Sequence, residues 1–151
     1  MATKRLFIPV LGNIYAAAEP YALPVLRAVL GLILIPHGCQ KLFGWFGGMG
    51  YTRFSALFDN IGYKPGWFWV LVVALTELVG GICLVLGLFT RVAALLVAIF
   101  MLNAVWFTSA KGFFWTQQGS EYSILILFVA LVFLIRGGGE YSLDKSMSRE
   151  F

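Results

Sequence analysis

Charged residues are scarce in this chain, and cysteine and histidine are nearly missing. Charged side chains make up 12% of its 151 residues, which is about half the share found in soluble domains. Hydrophobic residues make up 60%, and a chain this short has too little interior to bury them away from water. The same composition excludes a disordered chain, while two cysteines exclude a disulfide framework and a zinc ribbon. The class that remains is an integral membrane protein.

Four apolar runs predict four membrane-spanning helices. A span needs about 20 mostly apolar residues, and the runs lie at about 21–42, 67–88, 92–109 and 122–135. The last run is short, about 21 Å long against roughly 30 Å of hydrocarbon. The runs are apolar on all sides instead of alternating in polarity, which argues against a β-barrel. We therefore expect an all-α, four-helix membrane bundle that forms a single domain over residues 1–151.

The basic residues are dispersed, which indicates membrane topology and argues against nucleic-acid binding. The net charge is +4, and no basic run is longer than Lys4-Arg5. The N-terminus resembles a signal peptide, but Pro9 and Asn13 interrupt its short apolar core, so we expect an interfacial segment there. Four spans place both termini on one side, and the excess of basic residues on that side predicts a cytoplasmic location. That side would hold Lys4, Arg5, Arg27, Arg91, Arg136, Lys145 and Arg149, and the other side Lys41, Arg53, Lys64 and Lys111.

The connections between the predicted spans differ in length and in aromatic content. Residues 87–91 form a tight turn, which makes the second and third helices antiparallel neighbours. In the first outer connection, Tyr51, Phe54, Leu57 and Phe58 recur at helical spacing, which predicts a short amphipathic helix on the outer surface. The aromatic residues of the outer loops are typical of a membrane-interface belt. The alternative is a lid over a site for a lipid-soluble ligand.

Ionisable side chains inside the predicted spans are the main functional candidates. Arg27, His37 and Glu77 lie within spans, and Lys41 shares a helix face with His37, four positions earlier. Charged groups are costly in hydrocarbon and usually face the bundle interior. We expect Glu77 to meet His37, its nearer partner in depth, with Lys41 or Arg27 completing the cluster. The cluster is either structural or a proton-accepting site beside a quinone-like carrier.

The other reactive residues support no metal, haem or phosphate site. A single histidine cannot supply paired axial ligands, and His37 with Glu77 is too few ligands for iron or zinc. The glycine-rich residues 44–50 have no flanking strand, which argues against a phosphate-binding loop. We interpret Cys39 and Cys83 as apolar fillers at different depths, with a redox-active Cys39 as the alternative.

Residues 37–44, His-Gly-Cys-Gln-Lys-Leu-Phe-Gly, resemble the His-Gly-x-x-Lys-Leu-apolar-Gly signature of the DoxX family. Further resemblances follow in order along the chain, at Arg27, at Glu77 with Gly80-Gly81, at the 87–91 turn and at 138–144. The resemblance implies a bacterial cytoplasmic-membrane protein with four spans. Related DoxD-type proteins are similar to a subunit of a thiosulfate:quinone oxidoreductase, and some DoxX-like proteins are associated with membrane redox assemblies. The resemblance carries over no catalytic residue.

Three functions follow from these patterns. The first is a subunit of a quinone-linked redox system, with a quinone or lipid headgroup bound between the first two spans. His37, Trp45, Phe46 and Glu77 are its candidate contacts, and electrons would come from a partner because no haem, flavin or iron–sulfur ligands are visible. The second is a structural subunit packed against membrane proteins or a second copy. The third is a small-molecule transporter, against which the lack of an inverted repeat argues.

Overall fold

The computed structural model describes residues 7–147, and these residues form helices and turns without any strand. Two short 3₁₀ turns, Trp45–Gly47 and Trp115–Gln117, interrupt the loops between helices. Lys4, Arg5 and Arg149, whose charges entered the predicted topology, lie outside the described residues. The all-α class is confirmed for the described chain. Its helices are α1 (Leu11–Phe43), α2 (Gly50–Asn60), α3 (Gly66–Leu86), α4 (Thr90–Ser109), α5 (Glu121–Arg136) and α6 (Leu143–Ser146).

Three of these helices, α1, α3 and α4, are long and apolar enough to cross a membrane. They correspond to the first three predicted spans. The fourth predicted span corresponds to α5, which has 16 residues and is shorter than a full crossing of about 20. Length and composition therefore support three spans within residues 7–147.

The first helix begins much earlier than the sequence predicted. It starts at Leu11 instead of near residue 21, and it contains Pro20, Pro24 and Pro36. Each proline removes one backbone hydrogen bond, but membrane helices tolerate proline because neighbouring groups compensate. At 1.5 Å per residue this helix of 33 residues is about 50 Å long. The expected interfacial segment is therefore helical and continuous with the first span from Leu11 onward.

Glycine residues bring α1 and α3 into backbone contact. A Cβ atom added at Gly31 would overlap the carbonyl oxygen of Gly81, and one added at Gly38 would lie 2.7 Å from the backbone nitrogen of Leu78. The pairing runs in opposite directions along the two helices, so α1 and α3 are antiparallel. Small residues allow membrane helices to approach this closely, and the gain is van der Waals contact.

The remaining helices extend this pair into a bundle. α3 packs against α4, and α4 packs against α5. The tight turn predicted at 87–91 is confirmed, since α3 ends at Leu86 and α4 begins at Thr90. Gly87 occupies the left-handed region in this turn with φ of 66°, which favours glycine. The core is apolar and includes Leu30 and Leu34 of α1, Leu84 of α3, Val97 and Met101 of α4, and Ile126 and Phe133 of α5.

The bundle has two ends with different character. The loop end carries residues 44–65 and 110–120, and the terminal end carries the α3–α4 turn with residues 137–147. At the loop end, α2 packs on α3 and buries none of its residues fully, which confirms the short amphipathic helix. The Asp59 carboxylate accepts a hydrogen bond of 2.8 Å from the Gly66 N–H. This bond joins α2 to the first turn of α3.

Candidate functional site

Lys41 and Glu77 form an ion pair between α1 and α3. The ammonium nitrogen lies 2.6 Å from Oε2 and 2.7 Å from Oε1 of the carboxylate, and the side chains are 13% and 4% exposed. Helical side chains lean toward the N-terminus of their own helix. Because α1 and α3 are antiparallel, Lys41 and Glu77 lean toward each other. The contact of the two backbones near Gly38 brings them within reach.

Two aromatic rings from other helices enclose the Lys41 ammonium. It lies 5.6 Å from the ring centre of Phe54 in α2 and 5.9 Å from that of Phe100 in α4. These distances are within the range of cation–π attraction. Four helices thus meet at this one cation: α1 carries it, α3 pairs with it, and α2 and α4 cover it.

His37 does not take the position expected for it. Its imidazole is half-buried and interacts with Gln40 on its own helix, while its backbone carbonyl lies 3.5 Å from the Lys41 ammonium. The residue found against Glu77 is Lys41. The expectation compared only the depths of helix positions, and it ignored the direction in which side chains lean and the greater reach of lysine.

Arg27 lies in a separate cluster at the terminal end. It is 2% exposed, and its guanidinium donates hydrogen bonds to the carbonyls of Gly138 and Tyr141, the second at 2.9 Å. The ring of Tyr141 stacks on Tyr21 of α1 with centroids 5.3 Å apart, and a hydrogen bond with Tyr21 raises the pKa of Tyr141. Arg27 therefore secures the C-terminal segment against α1, and it does not join the Lys41–Glu77 pair.

Asp144 completes the terminal cluster, and the sequence analysis assigned it no role. Its carboxylate is 4% exposed and accepts hydrogen bonds from the N–H groups of Phe89, at 2.7 Å, and Thr90, at 2.9 Å. It thereby caps the start of α4, and its charge favours that of Arg27. Its partners are more than 50 residues away in the chain, so no local sequence pattern predicts the contact.

A cavity of about 500 Å³ lies between α2, α3 and α4, and Lys41 is part of its lining. Tyr63, in the linker before α3, donates a hydrogen bond of 3.0 Å from its hydroxyl to Asn103 of α4. Thr76 is a buried polar residue of the wall. The remaining lining is apolar and includes the rings of Phe58, Trp69, Phe100 and Phe107. Such a cavity suits an apolar ring compound with a polar substituent.

The ligand was expected between α1 and α3, but the lining of the cavity comes mainly from α2, α3 and α4, and Lys41 is its one residue from α1. The α1–α3 interface is filled by the contact at Gly31 and Gly81, which leaves no room for a ligand between those helices. Trp45 and Phe46 follow α1 in a 3₁₀ turn and are 57% and 70% exposed, away from the cavity lining. The sequence contained one usable signal, Asn103, because it was the main polar residue of its span.

The two cysteines occupy different environments. Cys39 is buried and Cys83 is half-buried, and both are free thiols. Cys83 lines a second, shallower groove between α3 and α4. Within residues 7–147, no three side chains of the metal-ligating types lie close enough together to hold an ion.

Comparison with other proteins identifies relatives over most of the chain. A protein of Haemophilus influenzae described as uncharacterized is 32% identical over 136 residues, which is 87% of this chain and 95% of the relative. An uncharacterized membrane protein of Mycobacterium tuberculosis is 31% identical over 144 residues, or 88% of this chain and 85% of the relative. A Bacillus subtilis protein named "Putative oxidoreductase CatD" is 28% identical over 120 residues, covering 80% and 82%.

No solved structure matches the chain. The family model described as DoxX matches residues 22–110, which include the Lys41–Glu77 pair, the tight turn and the walls of the cavity. The resemblance seen at residues 37–44 is thereby confirmed, and this chain belongs to the DoxX family.

Proposed function

We propose that this protein is a membrane subunit of a quinone-linked redox system and that it binds the quinone ring in the cavity between α2, α3 and α4. The observation that carries the proposal is an apolar, ring-lined cavity with one charged lining residue, Lys41. A quinone ring is flat and apolar with carbonyl oxygens at its edge. Aromatic walls suit its faces, and an ammonium suits a carbonyl oxygen.

In this proposal Lys41 assists the reduction of the quinone. A quinone that takes up two electrons from the partner and two protons from water becomes a hydroquinone. The Lys41 ammonium would donate a hydrogen bond to the ring carbonyl and stabilise negative charge on it as electrons arrive. Glu77 would keep that ammonium in place. In this proposal the electrons come from a partner protein.

The name of one relative agrees with this proposal. The Bacillus subtilis protein is named as an oxidoreductase, and its resemblance spans most of both chains. We extend a redox role to the present chain on that basis, together with the cavity. In our proposal the partners are other membrane redox proteins or a second copy, packed against the apolar faces that the bundle leaves exposed.

For the membrane topology we propose α5 as a fourth span in a bacterial cytoplasmic membrane. Its residues Ile126, Leu127 and Ala130 pack into the bundle core, so part of its backbone is sheltered by α4. Four spans place both termini on one side. Arg91, Arg136 and Lys145 favour the cytoplasm for that side, together with the basic residues near the chain ends.

The test fills the cavity and measures quinone binding. Ala104 lines the cavity, whereas Leu102, two residues earlier on α4, is 57% exposed and lies outside it. Ala104→Phe should weaken binding of a tail-less quinone about tenfold or more, because the added ring takes the ligand's space. Leu102→Phe should bind as the unchanged protein does. Quenching of tryptophan fluorescence on quinone titration gives the affinity, and equal affinities in all three proteins would refute the site.

A structural role is the second candidate, and one observation favours it. Both oxygens of Glu77 are engaged by Lys41, so the pair can fix the register of α1 on α3 without chemistry. In that case, loss of the pair would lower the stability or assembly of the complex and leave the turnover of each assembled complex unchanged.

A further inference from the structure

A second groove continues from the cavity along α3 and α4. It has a volume of about 410 Å³, and its apolar lining comes from these two helices. The cavity and the groove share Val72, Thr76 and Leu96 as lining residues. From that shared region the groove runs along α3 to Cys83 and reaches Phe89 at the start of α4. The seven residues from Thr76 to Cys83 correspond to about 10 Å along the helix axis.

The cavity is covered at the loop end and open toward this groove. At the loop end the Tyr63 side chain crosses from the α2–α3 linker to Asn103 of α4. Its ring also contacts Trp69 at 5.6 Å and Phe107 at 5.5 Å, measured between centroids. By contrast, Leu96 in the shared region is 45% exposed. A chain attached to a ring in the cavity would therefore leave along the groove.

Gly80 lines the groove, where a larger side chain would fill it. Contact between helices does not require a glycine at this position. A Cβ atom at Gly80 would lie 4.0 Å from a methyl group of Val97, which is ordinary contact. At its neighbour Gly81, a Cβ atom would lie 2.9 Å from the carbonyl oxygen of Gly31. Gly81 is thus required by the α1–α3 contact, whereas the small size of Gly80 matters only to the groove that it lines.

We propose that the ligand is a quinone with a long isoprenoid tail, with its ring in the cavity beside Lys41 and its tail in the α3–α4 groove. This inference rests on the proposed function and extends it to a substrate class. The groove follows the helices, and therefore runs along the membrane normal as a lipid tail does. The cavity, with Lys41 in its lining, suits the ring of such a molecule, and the apolar groove suits its tail.

The experiment compares two ligands that share one ring, a tail-less ubiquinone analogue and the same ring with a long isoprenoid tail. Gly80→Leu places a side chain in the groove, and Val79→Trp does so from the lipid side, where Val79 is 50% exposed. Ile82→Phe is the control, since Ile82 is exposed and lies outside both the cavity and the groove. Binding is measured in quinone-free nanodiscs from the amount of quinone retained with the protein at each ligand concentration, and thermal unfolding reports on folding. Each ligand is compared across proteins, so its own partitioning into lipid cancels.

We expect Gly80→Leu and Val79→Trp to weaken binding of the tailed quinone about threefold or more, because tail contacts with a helix groove replace equally apolar contacts with lipid and are individually small. Binding of the tail-less ring should be unchanged in both variants, and Ile82→Phe should leave both affinities unchanged. Equal affinity of the tailed quinone in all folded proteins would overturn the tail assignment and leave the ring site intact. If the unchanged protein bound neither ligand, the proposed function itself would fail.

Discussion

The carboxylate of Asp144 accepts a hydrogen bond of 2.9 Å from the backbone N–H of Thr90, so the C-terminal segment caps the helix that forms one wall of the cavity. The first N–H groups of a helix have no partner within the helix, and Asp144 supplies one from α6. Arg27 of α1 donates hydrogen bonds to the carbonyls of Gly138 and Tyr141 in the same segment, so the C-terminal segment is linked to both α1 and the α3–α4 turn.

Loss of this cap should lower the stability of the protein without changing the shape of the cavity. Asp144→Ala removes both hydrogen bonds to the start of α4 and leaves Arg27 without its nearby charge, so we expect a loss of about 2 kcal/mol or more. Thermal unfolding in detergent measures the change. Glu140→Ala is the control, because Glu140 is an exposed acid of the same segment. Equal unfolding temperatures for the two variants would contradict the capping role.

The glycine contact between α1 and α3 predicts that alanine substitutions at different glycines lower the stability of the bundle by different amounts. Gly31→Ala places a methyl group against the carbonyl of Gly81 and should destabilise the bundle by about 1–3 kcal/mol through overpacking. Gly80→Ala should have no such cost, because the added methyl group would meet Val97 at 4.0 Å, an ordinary contact distance. Unfolding curves of the two variants give the comparison. If Gly31→Ala were as stable as Gly80→Ala, the backbones would not be in contact there.

A double-mutant cycle separates structure from binding at Lys41 and Glu77. Glu77→Met alone leaves a buried ammonium without its partner and should cost about 3–5 kcal/mol, whereas the double variant with Lys41→Met should recover most of that stability. Under the proposed function, the double variant folds but binds quinone more weakly, because the donor in the lining of the cavity is gone. Unchanged quinone affinity in the folded double variant would favour the purely structural role.

The bridge from Tyr63 to Asn103 should slow ligand exchange. Tyr63→Phe removes one hydroxyl hydrogen bond, worth about 1 kcal/mol, and should increase the dissociation rate of quinone a few-fold. Stopped-flow recovery of tryptophan fluorescence gives that rate. Tyr51→Phe is the matched control, since its hydroxyl donates to the Trp67 carbonyl outside the cavity. If both variants released quinone at the unchanged rate, the bridge would not cover the exit.

The helical class and the pairing of intramembrane charges were predictable, because both follow from the cost of polar groups in hydrocarbon. The choice of Lys41 as the partner of Glu77 required the antiparallel direction of α1 and α3, which decides where each side chain leans. The early start of α1 was missed because the span was placed on the apolar run that begins near residue 21, whereas the helix also includes the residues from Leu11 onward.

The location of the cavity was not predictable from periodicity. It depends on which helix faces close on each other, and the glycines of α1 and α3 close the interface in which a ligand was expected. The role of Asp144 was also inaccessible, because its partners lie on a distant turn. Arg27 was correctly placed inside the bundle, but its partners are backbone carbonyls, which leave no trace in the sequence.

The touching backbones at Gly31 and Gly38 restrict how the molecule can move. Two points of main-chain contact separated by two helical turns prevent α1 from sliding or rolling on α3, so these helices behave as one rigid body. Tyr63 belongs to the flanking linker and contacts α4 through its hydroxyl bond to Asn103 and its ring contact with Phe107. Displacement of α2 and this linker would therefore widen the loop end of the cavity, while the charged pair stays fixed.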